Sequence, residues 1–282
     1  MSKVTIGIPF FNNETTLKFA IHSVINQTFQ DWQLILINDG STDQSLEIAK
    51  QYESEKIVVI NDGENKGLIY RLNQLIDMCG TKYFVRMDSD DIMTPARIEK
   101  QVSFLELQTD IDVVGAGAYI IDEKNKITGN RIPPFKSYNI DDILRKKDLF
   151  IHPTVMGRTE WFRKYKYKYG FNRAEDLELW CRSYEYSNFA NIEEPLLFYR
   201  VTSKINLGKY KASFKTVKKI INLYASNRSK RIKLLLLENI KINLYTIIRF
   251  FNRIEIVDKR KKYHIEQKRV EEALSVLQNS IK

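Results

Sequence analysis

Cysteine is scarce in this 282-residue sequence, and the two cysteines, Cys79 and Cys181, lie far apart. They form no CxxC pair or other spacing typical of metal ligands, and Cys79 falls on the apolar side of a helical pattern. This scarcity argues against a small disulfide-stabilised scaffold and against a cysteine-ligated metal site. We expect both thiols to be reduced in a cytosolic protein.

Long uncharged hydrophobic runs are also missing, since no window of about 18 apolar residues lacks a charge. The most apolar stretch, residues 232–251, is interrupted by Lys233, Glu238, Lys241 and Arg249, and we expect that it does not span a bilayer. The first residues, MSK, lead directly into VTIGIPFF, which is followed by polar NNET in place of a small-residue cleavage site. The sequence therefore predicts no signal peptide and a cytoplasmic chain.

Acidic residues are scarce only in the last part of the chain. The formal net charge of +10 arises from 45 Lys and Arg against 35 Asp and Glu. Residues 204–282 hold 20 of these basic residues and 6 of the acidic ones, so residues 1–203 carry a small negative charge. We therefore predict a globular domain over residues 1–203 and a basic helical region over residues 204–282.

Short apolar runs alternate with segments of helical period through the first 120 residues. The expected strands are VTIGIPF, LILIND, IVVIND, YFVRMD and DVVGAGAYIID. Between them, sets such as Leu68, Leu72, Leu75 and Ile76 recur at the spacing of one helix face. This alternation predicts an α/β fold with a mainly parallel sheet and helices on both faces. Such sheets bind ligands at the carboxyl ends of their strands.

Polar clusters follow three of the expected strands: FFNNE the first, NDGSTD the second and DSDD the fourth. We expect them to meet at one edge of the sheet. NDGSTD has two interpretations, a strand-to-helix turn with Gly40 at the bend, or a site where Asp39 accepts a hydrogen bond from a base or ribose. The motif alone does not decide between them.

The DSDD cluster places three carboxylates, those of Asp88, Asp90 and Asp91, within four positions. Like charges so close repel each other, and either a solvated turn or a bound cation would relieve the repulsion. Mg²⁺ and Mn²⁺ favour oxygen ligands, and alternate residues of an extended chain face one way, so Asp88 and Asp90 are the candidate ligands. Asp91 is expected to point away and brace the following turn. The cluster lacks the Gly and Glu of an EF-hand loop, and its position after the fourth strand does not fit a phosphatase of the haloacid dehalogenase type.

The segment RAEDLELWCR, residues 173–182, also has two interpretations. Acidic residues are favoured in the first turn of a helix, and Leu177 and Trp180 would then pack inward. Alternatively, Asp176 or Glu175 is a general base that takes a proton from a substrate. Both interpretations stay open at the level of the residues.

These clusters occur in an order that resembles family 2 glycosyltransferases, which have the GT-A fold. The motifs that carry the resemblance lie between residue 4 and about residue 202, and are IPFFNNE, SVINQTF, LILINDGSTD, NKGL, MDSDD, Pro95 with Arg97, AEDLELWCR and EPLLFYR. The resemblance implies an inverting enzyme, a nucleotide-diphospho-sugar donor and Mn²⁺ or Mg²⁺ as cofactor. The residue types suit a displacement at the anomeric carbon, because a carboxylate can take the acceptor proton and a cation can compensate the diphosphate.

The resemblance assigns roles to residues of this sequence. Those assigned to nucleotide-sugar binding are Pro9, Phe11, Asn12, Asp39, Arg71, Asp88, Ser89 and Asp90. Within this set, Phe11 would stack on the base, and Asp90 with Asp88 would hold the metal. Asp176 would be the catalytic base, with Glu175 beside it.

The sequence departs from the family pattern in two places. Asn38 stands where the family often has aspartate, so that only Asp39 of an Asp-Asp pair is present. Arg71, which would contact the diphosphate, stands one position before the arginine of many members.

Four further residues are secondary candidates for the site: His152, Trp180, Arg182 and Arg200. By the resemblance, Trp180 would lie near the acceptor and Arg200 near the diphosphate. His152 would contact the metal or a phosphate, or it would be a hydrogen-bonded structural residue before a strand.

The expected function is transfer of a hexose or N-acetylhexosamine, preferably UDP-linked, to a hydroxyl of a saccharide acceptor. The resemblance to bacterial surface-polysaccharide transferases favours a lipid-linked acceptor in polysaccharide or lipooligosaccharide synthesis. The basic C-terminal helices would then attach the protein to the anionic inner face of the cell membrane. Alternatively, they form a helical hairpin packed on the sheet.

Two other functions are kept as alternatives. A sugar nucleotidylyltransferase usually has a Gly-rich GxGTRL-type loop after the first strand, where this sequence has PFFNNE. A non-catalytic protein that binds nucleic acid or another polyanion would use KRKK, residues 259–262, but the sequence shows no RNP-type motif or aromatic stacking pattern. We therefore expect no nucleic-acid partner.

Overall fold

The computed structural model describes residues 2–134, 139–146, 149–201, 207–250, 271 and 274–279. Its strands are β1 (Val4–Phe10), β2 (Trp32–Asn38), β3 (Ile57–Asn61), β4 (Tyr83–Arg86), β5 (Ile92–Met93), β6 (Val113–Ile121), β7 (Ile127–Arg131), β8 (Met156–Arg158) and β9 (Phe189–Arg200). Its α-helices are α1 (Leu17–Ile25), α2 (Ser45–Lys50), α3 (Leu68–Met78), α4 (Arg97–Leu107), α5 (Ile140–Lys146), α6 (Thr159–Tyr165), α7 (Glu175–Ser183), α8 (Leu207–Tyr224) and α9 (Arg228–Phe250). Two short 3-10 helices lie at His152–Thr154 and Tyr184–Tyr186.

One sheet contains these nine strands of the described residues, in the order β3-β2-β1-β4-β8-β6-β9-β5, with β7 paired to β6. The strands β1 to β4 are parallel, as the alternation of strands and helices predicts. β8 runs antiparallel between β4 and β6, and β5 and β7 are antiparallel to β9 and β6. β9 pairs in parallel with β6 and was not expected, because Glu193, Glu194 and Pro195 interrupt its apolar pattern. The sheet is therefore parallel around β1 and mixed beyond β4.

Helices cover both faces of the sheet, as predicted. Along β2, Ile35 and Ile37 point into a core that includes side chains of α3 and of α5 to α9. Leu34 and Leu36 belong to a second core with α1 and α4. The two sets alternate because neighbouring side chains of a strand face opposite sides.

The basic C-terminal helices pack against the N-terminal part of the chain. Val217, Ile220 and Ile221 of α8 are almost fully buried, in the same core as side chains of α5 and α7. Leu277 is buried as well, in a third cluster with Ile92 of β5 and other side chains of β6, β7 and β9. α8 and α9 therefore form a helical hairpin, which packs mainly against α5 and α7 and not directly on the sheet. Attachment of this region to a membrane stays a proposal. The predicted boundary after residue 203 and the KRKK segment lie outside the described residues.

The helix α9 spans 23 residues and is the longest of the described elements. Among the described residues, neither α9 nor any other helix is both long enough and apolar enough to cross a membrane.

Replacing Ile220 by Ala would remove a side chain with no exposed surface from the core under α8. We expect the free energy of unfolding to fall by about 2 to 5 kcal/mol, because the cavity adds to the lost transfer energy. The matched control is Ile240→Ala on α9, where the side chain is 53% exposed and the change should be less than about 0.5 kcal/mol. Denaturant unfolding measures both variants, and equal effects would show that α8 does not share the core.

Candidate active site

The loops that follow β1, β2 and β4 lie together at one edge of the sheet. The Asn12 N–H donates to Ser41 Oγ over 3.0 Å, and the Thr42 N–H donates to Asn12 Oδ1 over 2.8 Å. Ser89 Oγ donates to Asn13 Oδ1 over 2.8 Å, which joins the first loop to the acidic cluster. The three polar clusters therefore meet, as expected for residues at the ends of neighbouring parallel strands.

Phe11 and Asn12, both predicted to bind the nucleotide, form the exposed tip of the first loop. Pro9, the third residue of this set, lies within β1 and is paired with Ile37 of β2. Asn12 has a φ of +52°, in the left-handed region that Asn adopts more readily than most residues. Phe11 is 46% exposed, at the strand ends. An aromatic side chain in this place suits stacking on a base.

Asp39 follows β2 and is held by residues 62–67, the loop before α3. Its Oδ1 accepts hydrogen bonds from the N–H groups of Lys66 at 2.8 Å and Gly67 at 3.1 Å, and from Nε of Arg71 at 2.9 Å. Its Oδ2 accepts only from the Gly67 N–H, at 3.1 Å, among the described residues. A carboxylate oxygen has two lone pairs, so Oδ2 can still accept from a base N–H or a ribose hydroxyl.

Arg71 lies beneath this loop. It bonds to protein groups there, in place of the predicted contact with a diphosphate. Its fully buried guanidinium donates from the two Nη atoms to both oxygens of Asp62, at 2.9 and 2.6 Å. It also donates to Gln74 Oε1 at 2.9 Å and to the Glu64 carbonyl at 2.5 Å, and Nε is bonded to Asp39. These bonds use all five N–H groups, so Arg71 braces the loop. Its hydrogen bonds lower the pKa of Asp62 and raise the pKa of Arg71 itself.

Three carboxylates, those of Asp88, Asp90 and Asp91, converge after β4. One oxygen of each lies within 4.8 Å of the others. Asp91 was expected to point away, but the chain turns at residues 89–90, which breaks the alternation of an extended strand. Asp91 is fully buried, and its Oδ1 accepts the Arg200 N–H over 2.8 Å. Its Oδ2 is buried and has no hydrogen-bond partner in the described part of the chain.

This acidic cluster fits a divalent cation. Burial, and then the charge of Asp88, raise the pKa of Asp90 to about 6. Burial and the two neighbouring charges raise the pKa of Asp91 well above its usual value. A cation would oppose both effects, and the unpartnered Asp91 Oδ2 gives it a further hard oxygen. The residues that could hold a metal are therefore Asp88, Asp90 and Asp91, one more than the sequence predicts.

A buried arginine that the motif analysis missed lies beside this cluster. Arg86 is the last residue of β4, and its Nη atoms donate to the two oxygens of Asp88 at 2.9 and 2.5 Å. Burial acts to lower the pKa of Arg86, but nearby negative charges, first Asp88 and then Glu175 and Asp91, raise it above its usual value. The signal in the sequence was an arginine at the end of an apolar strand, directly before the acidic motif.

Glu175 and Asp176 begin α7 within electrostatic reach of Arg86. Burial, and then the charge of Asp176, raise the pKa of Glu175 to about 7. Burial also raises the pKa of Asp176, against the effect of the Arg86 charge, and the charge of Asp88 adds to the rise. The structure thus brings the candidate base and the acidic cluster together, although they are far apart in the sequence.

The loop that leads into α7 is held by α8. Ser213 Oγ donates to the carbonyl of Arg173 over 3.2 Å, and Thr216 Oγ1 donates to the carbonyl of Asn172 over 3.0 Å. Arg173 has a φ of +69°, which redirects the chain just before the helix. The C-terminal region therefore helps to position Glu175 and Asp176.

His152 has the contacts of the structural alternative. Its Nε2 lies 2.7 Å from the Tyr167 hydroxyl, and its ring meets the Trp180 ring edge-on with centroids 6.1 Å apart. Burial, with a smaller effect of the Arg86 charge, lowers the pKa of His152 well below its usual value, so the imidazole is neutral. Asn73 holds the Tyr167 backbone, because its Nδ2 donates to the Tyr167 carbonyl and its Oδ1 accepts from the Tyr167 N–H, both over 2.8 Å. These contacts match the structural alternative for His152.

Trp180 packs inward, which was one of its two interpretations, and Arg182 pairs within its own helix. Trp180 is 2% exposed and packs among aromatic rings, with the Phe150 centroid at 4.9 Å, so the expected acceptor contact is corrected to a core position. Helix periodicity turns this residue inward. Arg182 pairs with Glu178 at 2.8 Å and donates to two carbonyls at the end of α6, so it ties α7 to α6.

Arg200 ends β9 beside the acidic cluster. Its Nε donates to the Asp90 carbonyl and its Nη1 to the Asp122 carbonyl, both at 2.8 Å. Its Nη2 is buried and has no hydrogen-bond partner among the described residues. An unsatisfied charged donor in this place suits an anionic oxygen such as that of a phosphate.

Known proteins are similar to this chain in sequence and in fold. The family model "Glycosyl transferase family 2" matches residues 5–166. EpsE of Bacillus subtilis is 34% identical over 271 residues, which cover 93% of this chain and 94% of EpsE. WbnJ of Escherichia coli, an O-antigen biosynthesis glycosyltransferase, is 38% identical over 196 residues, which cover 66% of this chain and 74% of WbnJ. Among solved structures, S. aureus TarS in complex with UDP-GlcNAc has a TM-score of 0.64 at 16% identity, over 83% of this chain and 70% of that chain.

The chain belongs to glycosyl transferase family 2 and is a glycosyltransferase. The likeness to TarS confirms the predicted GT-A fold. The family membership favours sugar transfer over nucleotidyl transfer and over a non-catalytic polyanion-binding role. The family match ends at residue 166, so the candidate residues Glu175, Asp176 and Arg200 lie beyond it.

Replacing Arg86 by Met would remove the buried cation and keep an unbranched side chain. We expect the free energy of unfolding to fall by about 3 kcal/mol, because Asp88 loses its charged partner. The matched control is Lys100→Met, since the side chains of the Lys100–Glu194 pair are 42% and 49% exposed and should contribute less than about 1 kcal/mol. Thermal unfolding compares the two variants, and an Arg86 variant as stable as the control would contradict the expectation.

Proposed function

We propose that the protein transfers a sugar, with inversion, from a nucleotide-diphospho-sugar to a hydroxyl of a saccharide acceptor. The favoured donor is a UDP-linked hexose or N-acetylhexosamine. The observation that carries the proposal is the meeting of the acidic cluster and the Glu175–Asp176 pair beside Arg86. The acidic cluster holds the cation that compensates the diphosphate, and the Glu175–Asp176 pair provides the base for the attacking hydroxyl.

Donor binding is proposed at the ends of β1, β2 and β4. The exposed Phe11 ring stacks on the base, and Oδ2 of Asp39 accepts from the base or ribose. Asp88 and Ser89 line the nucleotide, while the unpartnered Nη2 of Arg200 donates to a diphosphate oxygen. The solved complexes of TarS with UDP and UDP-GlcNAc support a UDP-linked donor.

Mn²⁺ or Mg²⁺ is the proposed cofactor, held by Asp90 together with Asp88 and Asp91. When bound, the cation compensates the charge of the diphosphate as it leaves. Arg86 keeps the Asp88 carboxylate in a fixed orientation through its two hydrogen bonds. The Arg200 N–H does the same for Asp91.

Inversion follows from a single displacement at the anomeric carbon. The acceptor oxygen forms a bond to this carbon from the face opposite the diphosphate. The bond from the carbon to the phosphate oxygen breaks, and its electron pair leaves with the nucleoside diphosphate. Asp176 takes the proton of the acceptor hydroxyl. Burial raises the pKa of Asp176, which makes it a stronger base than a solvated carboxylate.

The proposed acceptor is a lipid-linked saccharide in the synthesis of surface polysaccharide or lipooligosaccharide. The name of WbnJ assigns that relative to O-antigen biosynthesis, which supports this choice. A lipid-linked acceptor places the enzyme in the cytoplasm, peripheral on the inner face of the cell membrane. The basic C-terminal region is the proposed attachment.

Two substitutions test the two halves of the site. Asp176→Asn should lower sugar transfer by about 10²- to 10⁴-fold and leave donor binding unchanged, because only general-base help is lost. Asp90→Ala should weaken donor binding and remove the activation by Mn²⁺. The measurement is UDP release from a panel of UDP-sugars, with Mn²⁺ and a saccharide acceptor.

The matched control for both is Asp110→Ala, which removes an exposed carboxylate near the start of β6 and should leave transfer unchanged. Full activity in both site variants would refute the assignment of the site. Release of pyrophosphate from a nucleoside triphosphate and a sugar phosphate, without UDP release from any UDP-sugar, would refute the proposed reaction.

Transfer should slow as the pH falls through the raised pKa of Asp176. Burial raises the pKa of Glu175 to about 7 and also raises the pKa of Asp176, and a protonated carboxyl group cannot take the acceptor proton. Activity is therefore full above these pKa values and is lost below them. Glu175→Gln should keep transfer at high pH and leave the acidic limb of the pH–rate profile in place, because burial and the Asp88 charge, and not the Glu175 charge, raise the pKa of Asp176. If the Glu175 variant is inactive and the Asp176→Asn variant is active, Glu175 is the catalytic base and Asp176 is the residue beside it.

A further inference from the structure

A stripe of large apolar side chains lies on the outer face of α9. Ile232, Leu236, Ile240 and Leu244, the outer stripe, recur every four residues and are 48%, 57%, 53% and 48% exposed. Leu234, on the other side of the helix, is buried in the core. Single exposed apolar residues are common on protein surfaces, but a continuous row that follows the helix marks an interaction site.

Basic side chains surround the outer stripe. Arg228, Lys230, Lys233 and Lys241 of α9 are all exposed. At about 100° per residue, Lys233 falls within the stripe, and Lys230 and Lys241 fall along one border. Lys241 also pairs with Glu238, at 2.8 Å. An apolar stripe with basic borders is the composition of a helix that lies on an anionic bilayer.

We propose that the outer stripe of α9 is a membrane-docking surface whose partner is an anionic lipid bilayer. The apolar side chains enter the boundary between headgroups and acyl chains, and the lysine ammonium groups stay at the headgroups. The stripe is about 18 Å long, from the rise per residue of an α-helix, so the helix lies parallel to the surface. This inference rests on the proposed function in one respect, since a lipid-linked acceptor is presented at a membrane.

Two physical arguments favour a bilayer over a second copy of the chain. A single helix stripe offers much less area than the roughly 800 Å² per partner that stable interfaces bury. A symmetric pair would also bring the lysines of both stripes together, and like charges across an interface are destabilising. Anionic headgroups attract the same lysines.

Co-sedimentation of the full chain with vesicles tests the proposal. We expect binding to vesicles of phosphatidylglycerol with phosphatidylcholine, weak binding to phosphatidylcholine alone, and a steep loss with added salt. Leu236→Asn combined with Ile240→Asn should weaken binding by at least about tenfold. Lys230→Gln combined with Lys233→Gln should weaken it about fivefold for each lysine removed. The matched control is Leu107→Asn at the end of α4, where an 80% exposed leucine should make no difference.

A fluorophore attached to the outer stripe detects its insertion into the bilayer directly, whereas the substitutions above detect only weaker vesicle binding. Cys is placed at Leu236 and labelled with a polarity-sensitive fluorophore, while the native Cys79 and Cys181 are both buried. We expect a blue shift of the emission on anionic vesicles for the Leu236→Cys chain. The same label on a Leu107→Cys chain should show none.

Several results would overturn the inference. Equal vesicle binding by the native chain and the Leu236/Ile240 variant would do so. A lipid-free dimer that these substitutions abolish would identify a second copy as the partner, and RNA binding that they abolish, without vesicle binding, would identify a nucleic acid.

Transfer to a water-soluble saccharide separates this inference from the proposed function. The stripe variants should keep that activity, because none of the substituted residues belongs to the site. Intact transfer by a native chain that binds no vesicles would refute the docking surface alone. Vesicle binding without transfer from any nucleotide-sugar would refute the proposed function alone.

Discussion

The ion pair between Arg86 and Asp88 is the interaction on which the site depends. Five carboxylates gather in one region, those of Asp88, Asp90, Asp91, Glu175 and Asp176, and their mutual repulsion grows as water is excluded. The Arg86 guanidinium is the buried positive charge that faces both groups of carboxylates. It is well placed to hold its position, because β4 lies inside the sheet and pairs with β1 on one side and β8 on the other.

Around this pair, most polar groups at the strand ends are bonded to one another before any donor arrives. Asn12, Asn13 and Ser89 lock the loops together, and Arg71 fixes the loop that holds Asp39. A frame of this kind loses little conformational entropy on binding. Asp91 Oδ2 and Arg200 Nη2 are two of the buried atoms without a hydrogen-bond partner among the described residues, and at each of them a ligand atom could complete the hydrogen bonding.

Local periodicity in the sequence was enough to predict β1 to β4, β6 and the helices between them, because each has one dominant side-chain spacing. The meeting of the polar clusters was also predictable, since it follows from parallel strands. Contacts that arise where the local side-chain spacing is interrupted could not be predicted in this way. Asp91 joins the acidic cluster only because the chain turns at residues 89–90, and β9 forms by pairing with β6 across an interrupted pattern. Trp180 shows the reverse error, since its motif suggested the acceptor while its helix period correctly indicated the core.

The support that α8 gives to the loop before α7 has a consequence for the smallest working unit of this enzyme. The hydroxyl of Tyr224, at the end of α8, also donates to Glu178 of α7 over 2.9 Å. α8 therefore contacts both α7 itself and the loop before it. A chain that ends at residue 166, where the family match ends, would contain the loops of the proposed donor site but neither the proposed base nor the helix that supports it. The complete proposed site therefore requires the chain through α8.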